Sequence, residues 1–267
     1  MIKPIVQELL LRGWSVDPNT YFGEYHKRVA IEIDPSRNPH WINDKSLFKV
    51  AVQVEPPSVT NKAVEQYLDV EGNKFDLILT YYSSILESKK NSKLFYFGDS
   101  WIKEKSESID KTRNVSFVTS NKNFTPGHAV RMKVVDSLHL GLARFDLYGR
   151  GFNPIEKKEE GLNDYKFSIV IENEFMENWF TEKIVDCFRT KTIPIYKGCP
   201  NIKDFYNEKG IIKFDTTEEL YSILNDINFN STSIYDSMKE SMDDNYNRSW
   251  ADPAFNERVK IEIKKYL

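Results

Sequence analysis

The stretch FSIVIENEFMENWFTEKIVDCF, residues 167–188, decides the fold. Its opening residues form a near-continuous apolar run, as in a parallel strand covered on both faces. A short polar loop follows, and Thr181 then opens a helix. There Ile184, Cys187 and Phe188 recur at i, i+3 and i+4, so that face is buried. Strand, loop and helix in that order are the unit of a parallel α/β layer. Glu182 and Lys183 fall in the first helical turn. A helix N-terminus carries partial positive charge, so a lysine there is mildly unfavourable unless an anion joins it. Ligands of open α/β sheets sit beyond the carboxyl ends of the strands, and N–H groups at a helix start bind anions. An ammonium for phosphate and a carboxylate for two ribose hydroxyls suit a nucleoside diphosphate. The same three residues would also serve an ordinary surface helix.

The pattern extends outward from this stretch. Strands are expected at 28–33, 49–54, 75–81, 94–97, 115–120, 144–149, 167–172, 193–196 and 210–214. Helices are expected at 3–12, 61–70, 127–140, 181–190, 216–227, 232–246 and 254–266. Thr216-Thr217-Glu218-Glu219 reads as a capping box. Val130, Val134, Val135 and Leu138 form one stripe on the helix that opens at Gly127. That helix carries Arg131 in its first turns, at the carboxyl edge of the preceding strand. A guanidinium there can grip phosphate oxygens in bidentate fashion, or simply be an exposed arginine on an amphipathic helix. The polar segment 106–114 divides the chain into an N-terminal α/β domain, 1–110, and a C-terminal one, 111–267. The final amphipathic helix is expected to pack back.

Composition narrows the class. The 267 residues are 40% hydrophobic and 29% charged, with a net charge of -3, which is ordinary for a globular protein and gives no basic footprint for nucleic acid. The Lys157–Lys158 pair lies among Glu156, Glu159 and Glu160 and reads as a solvated surface segment. The two cysteines, Cys187 and Cys199, match no zinc or redox spacing. Their low number and the lack of an apolar run of signal or transmembrane length predict a cytoplasmic protein.

Several chemistries lack their signatures. No G-x-G-x-x-G follows a strand, and neither a phosphate loop nor a G-x-S-x-G elbow occurs. His26, His40, His128 and His139 form no H-x-x-x-H pair, and no D-x-D is present, so no protein-held metal is expected.

The run DYKFSIVIENEFMENWFTEKIVDCFRTKTIPIYKGCPNIKDF, 164–205, resembles the donor-binding core of glycosyltransferase family 10, the α1,3/1,4-fucosyltransferases. VSFVTSN and DLYGRG upstream are similar to that family too, so the likeness spans 115–215. VEPPSV, FDLILTYYSSIL and FGDSWI extend it more loosely into the first 110 residues. The resemblance implies a GT-B architecture, two Rossmann-like domains facing across a cleft. It implies inverting transfer of L-fucose from GDP-fucose to a glycan acceptor, without a protein-held metal, in the manner of short soluble bacterial or viral members. It carries donor contacts onto Arg131, Asn173, Trp179, Glu182 and Lys183: the two cations and Asn173 at the pyrophosphate, Glu182 at the ribose. Trp179 stands where the family often has tyrosine, and an indole N–H could replace the hydroxyl.

The family's catalytic base maps onto Glu55, at a strand end stiffened by Pro56 and Pro57. Glu32 and Asp34, at the end of another strand, are rival bases. Pro56, Glu174 and Lys197 depart from the family's usual Ser, Ser/Thr and Trp, which loosens the expectation for sugar and acceptor. A nucleotide- or glycan-binding member without turnover, or a transferase using another GDP-sugar, are the alternatives.

Overall fold

The computed structural model describes residues 28–106 and 109–267. The expected helix at 3–12 lies outside the described residues, as does part of the 106–114 segment. The chain separates into two compact units. One holds the described residues up to Phe97 together with Pro253–Leu267; the other is Gly98–Asp252. The division thus falls at Gly98, the 106–114 segment leads into a strand inside the second unit, and the last helix belongs with the first.

In the first unit, β1 (Arg28–Ile33), β2 (Leu47–Val52), β3 (Leu77–Thr80) and β4 (Ser92–Leu94) form a parallel sheet in that order. Alternate side chains serve two cores, as the two-residue strand period requires. Val29, Ile31, Val50, Val52, Leu77 and Leu79 meet Phe255, Val259 and Ile263 of α8 (Phe255–Lys264). Ala30, Ala51 and Ile78 face Val64 and Leu68 of α2 (Ala63–Glu71) and Ile85 of α3 (Ser83–Ser88). A four-residue turn of helix, α1 (Pro57–Thr60), follows Glu55 and Pro56 directly. β4 ends at Leu94, early in the aromatic run that suggested it; Phe95 still donates its N–H to the Thr80 carbonyl at 2.8 Å, and the Phe95 and Phe97 rings pack on Phe255.

The second unit is a parallel five-stranded sheet ordered β6-β5-β7-β8-β9. Its strands are β5 (Arg113–Val118), β6 (Asp146–Tyr148), β7 (Tyr165–Ile171), β8 (Ile193–Lys197) and β9 (Ile212–Lys213). The chain starts at β5, passes through α4 (Pro126–His139) to β6, then crosses to the other side of β5 at β7. That reversal is a topological switch point, where open α/β sheets bind ligands. Phe117, Phe167, Ile169 and Ile195 pack with Val134 and Val135 of α4 and with Leu220, Leu224 and Ile227 of α6 (Thr217–Ser237). On α5 (Glu182–Arg189), which packs on β7 and β8, Ile184, Cys187 and Phe188 are at most 1% exposed. The capping box forms: Thr216 Oγ1 accepts the Glu219 N–H at 3.2 Å and Glu219 accepts the Thr216 N–H at 3.3 Å. The expected gap between helices at 228–231 is a kink, with Asn230 at φ -127° and ψ 21°, and the break comes at Met238 before α7 (Lys239–Ala251).

The start of α4 lies against the end of β7. Gly127 donates its N–H to the Asn173 carbonyl at 2.9 Å. A Cβ at Gly127 would sit 1.7 Å from the Glu172 carbonyl oxygen, with no side-chain movement able to relieve it. Replacing Gly127 by alanine is therefore expected to destabilise the protein by about 2 kcal/mol or more, at or beyond the middle of the usual overpacking range. Urea denaturation of Gly127→Ala showing an unchanged midpoint would contradict this packing.

Candidate functional site

The second unit's site is built around a carboxylate that motif reading passed over. Glu172 continues the apolar run of β7 and has no exposed surface. An ionised group there needs a full set of partners. It finds them in the cap of α5: Oε1 accepts the Thr181 N–H at 2.9 Å, and Oε2 accepts the Thr181 hydroxyl at 2.8 Å. Lys183 completes the set, its Nζ 3.4 Å from Glu172 Oε2. The lysine also reaches Thr181 Oγ1 at 2.8 Å and Glu182 Oε1 at 3.3 Å. The cation in the first turn is thus balanced from below by a buried anion. Its signal in the sequence was a glutamate at the end of a buried apolar run.

Arg131 projects from α4 and is only 4% exposed. Its Nε donates to the carbonyl of Ile171, the last residue of β7, at 2.8 Å, and Nη2 joins that bond. Nη2 also donates to Asn173 Oδ1 at 2.8 Å. With its oxygen engaged, Asn173 turns its NH₂ group elsewhere as a donor. Burial lowers the Arg131 pKa, and Glu172 and Glu182 offset part of that. Burial also works against the Glu182 charge, but the Lys183 and Lys158 ammoniums win and hold its carboxyl at about 2. His128, one turn before Arg131, is pushed down to about 4 by burial and by Arg131, Lys122 and Lys183, so it is neutral at pH 7.

Arg131 and Lys183 line one pocket of about 310 Å³. Its wall includes Thr119 and Ser120 after β5, Gly149 and Arg150 after β6, and Ile171 at the end of β7, which places it at the switch point. Lys158 lines it as well. The reading of Lys157–Lys158 as a solvated segment needs correction here. Lys158 is 27% exposed, and its Nζ lies 3.3 Å from Oδ2 of the fully buried Asp186 on α5. A buried acid 28 residues away drew it in, which local charge patterning could not reveal. Trp179 is 1% exposed and belongs to the interior. Among the described residues no cluster of His, Cys, Asp and Glu is arranged to hold a metal ion, and no helix is long and apolar enough to cross a membrane. Cys187 and Cys199 are both buried free thiols.

In the first unit Glu55 is exposed just beyond β2. Both ends of its peptide unit are held. Asp34 Oδ1 accepts the Val54 N–H at 2.7 Å and the Glu55 N–H at 3.2 Å, and the Glu55 carbonyl accepts from the Tyr81 hydroxyl at 2.7 Å. Asp34 is left-handed at φ 48°, a conformation aspartate tolerates better than most residues. Glu32 and Asp34 are therefore not alike. Asp34 braces Glu55, whereas Glu32 Oε2 is buried without a hydrogen bond. Burial pushes both carboxyls up to about 7, aided at Asp34 by the Glu55 charge.

These shifts set a pH dependence. A carboxyl whose pKa rises from 3.8 to about 7 on folding keeps its proton longer in the folded state. Its stabilisation is complete below about pH 4 and is lost as pH rises through 7. Asparagine at position 34 keeps the amide-accepting oxygen without the charge. Asp34→Asn is expected to melt progressively above the parent as pH goes from 4 to 8. A melting-temperature difference that stays constant across that range would refute the assignment.

Comparisons with known proteins bear on the family and the fold. The model of the glycosyltransferase family 10 (fucosyltransferase) C-terminal domain matches residues 108–247, more than half of the chain. An α-(1,3)-fucosyltransferase of Helicobacter pylori is 35% identical over 104 residues, covering 36% of this chain and 20% of that enzyme. An α-(1,4)-fucosyltransferase of Arabidopsis thaliana is 36% identical over 62 residues, covering 22% of this chain and 16% of that enzyme. The matches thus span about a fifth or less of the length of these curated relatives. A solved α1,3-fucosyltransferase with GDP superposes with a TM-score of 0.52 at 18% identity, over 84% of this chain and 74% of that one. The structure of TarM gives 0.53 at 12% identity, over 83% and 51%. These likenesses show the fold, the GT-B architecture of two Rossmann-like α/β domains. With the family model matching residues 108–247, most of the second unit, the chain belongs to glycosyltransferase family 10.

Proposed function

We propose that the protein is an inverting fucosyltransferase that moves L-fucose from GDP-fucose to a hydroxyl of a glycan acceptor. The observation that carries this reading is the convergence of Arg131 and Lys183 on one pocket at the carboxyl ends of β5 and β7. The family's members are fucosyltransferases, and the solved α1,3-fucosyltransferase of the same fold is a complex with GDP.

In this reading the second unit binds the nucleotide and the first serves the acceptor. Transfer breaks the bond from the sugar's anomeric carbon to the diphosphate oxygen and forms one to the acceptor oxygen. Negative charge grows on the departing GDP. Arg131 and Lys183 oppose that growth from fixed positions, which is where electrostatic catalysis acts. The Asn173 NH₂ adds a neutral donor. Glu182, kept ionised by its lysines, accepts from the ribose hydroxyls. Trp179 supports the donor loop from within; at 1% exposure its indole is not offered to a phosphate. Glu55 takes the acceptor's proton, and the Asp34 and Tyr81 bonds to its backbone keep the carboxylate in register. No step needs a protein-held metal. The two buried thiols accord with a cytoplasmic setting.

Lys183→Ala is expected to lower GDP-fucose turnover about 100-fold with the melting temperature retained, the scale set by loss of one preorganised charge contact. Undiminished turnover would remove the donor-site assignment. Glu55→Gln is expected to abolish transfer while GDP affinity, measured calorimetrically, stays at the parent value. Transfer surviving in Glu55→Gln but lost in Glu32→Gln would move the base to β1. Tighter binding of UDP or ADP than of GDP would overturn the choice of donor.

A further inference from the structure

Resting on the donor-site reading above, we propose that Lys158 is a further donor-binding residue, a third cation facing the diphosphate, and that Asp186 positions it. Lys158 lines the same pocket as Arg131 and Lys183, yet it comes from a separate segment, the 3-10 turn Lys158–Gly161 after β6. That turn is fixed in place. A Cβ on Gly161 would fall 2.6 Å from Val118 Cγ2 at the end of β5, so the backbone lies directly on the strand. The Glu160 carboxylate caps the turn's start, accepting the Lys157 N–H at 2.8 Å.

Asp186 reaches Lys158 from α5, three residues beyond Lys183 and four beyond Glu182, hence on the same helical face. Its Oδ1 is committed to the Ser100 hydroxyl at 2.6 Å and the Trp101 N–H at 2.9 Å. Its Oδ2 is buried and takes no hydrogen bond, which leaves it to the ammonium 3.3 Å away. A carboxylate without exposed surface holds its cation in one place. Burial opposes the lysine's charge, but Asp186 and Glu182 outweigh it and push its pKa up, so Lys158 is charged at neutral pH.

The other two cations share their donors with protein partners, so a third adds to theirs. Lys183 already spreads its ammonium over Thr181, Glu182 and Glu172. Arg131 spends Nε and Nη2 on Ile171 and Asn173. A diphosphate presents several oxygens at once. An ammonium has three donors; Lys158 commits one to Asp186 and keeps two.

GDP titration of the full chain tests this. Lys158→Met is expected to weaken GDP binding about tenfold or more, the scale of one charge-assisted contact. Because that variant leaves Asp186 unpaired, the double variant Lys158→Met/Asp186→Asn is measured beside it, with the melting temperature followed for both. If Lys158 touches the donor, the double variant stays about tenfold weak. If it serves only to neutralise Asp186, the double variant regains parental GDP affinity, and the proposal is overturned; an unaffected single variant overturns it as well. Lys183→Ala separates the two levels. Weakened GDP binding there beside unaffected Lys158 variants removes this inference alone, whereas parental binding in Lys183→Ala removes the donor site with it.

Discussion

The second unit depends on one buried charge. Glu172 is a carboxylate with no access to water at the end of a central strand. Stranding such a group unpaired costs several kcal/mol, about 3–5 when one partner of a buried pair is removed. Its partners are therefore obligatory, and all of them belong to the start of α5: the Thr181 amide, the Thr181 hydroxyl and the Lys183 ammonium. One side chain ties the capping residue Thr181 to the sheet and holds a cation at the helix mouth. The electrostatic conflict of a lysine in the first turn of a helix is resolved from beneath, so the upper face of the lysine is left toward the pocket.

The sheet topology explains why the other parts arrive there too. Because β6 and β7 lie on opposite sides of β5, the connections leaving β5 and β7 separate at the switch point and open a space. Gly127 lets α4 come within contact distance of the β7 backbone. Arg131 then reaches the Ile171 carbonyl, which the strand ladder no longer uses. A larger residue at position 127 would lift the helix and carry the guanidinium away. A backbone close approach thus fixes the position of a charge.

Much of this was legible in the chain. Apolar runs marked β1, β5, β7 and β8 to within a residue or two, since strands buried on both faces leave little room for polar residues. Thr181, Glu182, Lys183 and Arg131 were readable because helix starts beyond parallel strands have a restricted chemistry. What escaped was of two kinds. Glu172 looked like a strand's polar boundary, and only its burial shows it to be the anchor. Lys158 looked like one charge among several, because its partner Asp186 is distant in sequence. Local patterns report faces and caps; they do not report which charges a fold will bring together. The short helices α1 and α3 fell below the length at which periodicity can be seen.

The first unit applies the same physics with the opposite outcome. At Glu172 the partners include an ammonium, that of Lys183. At Asp34 the partners are backbone N–H groups, and a second carboxylate stands next to it, so burial drives the pKa up to about 7. A protonated Asp34 still accepts the Val54 and Glu55 amides through Oδ1. It can hold the Glu55 backbone without placing a second full negative charge beside it. The brace is thus made by geometry, two hydrogen bonds to the backbone at a strand end.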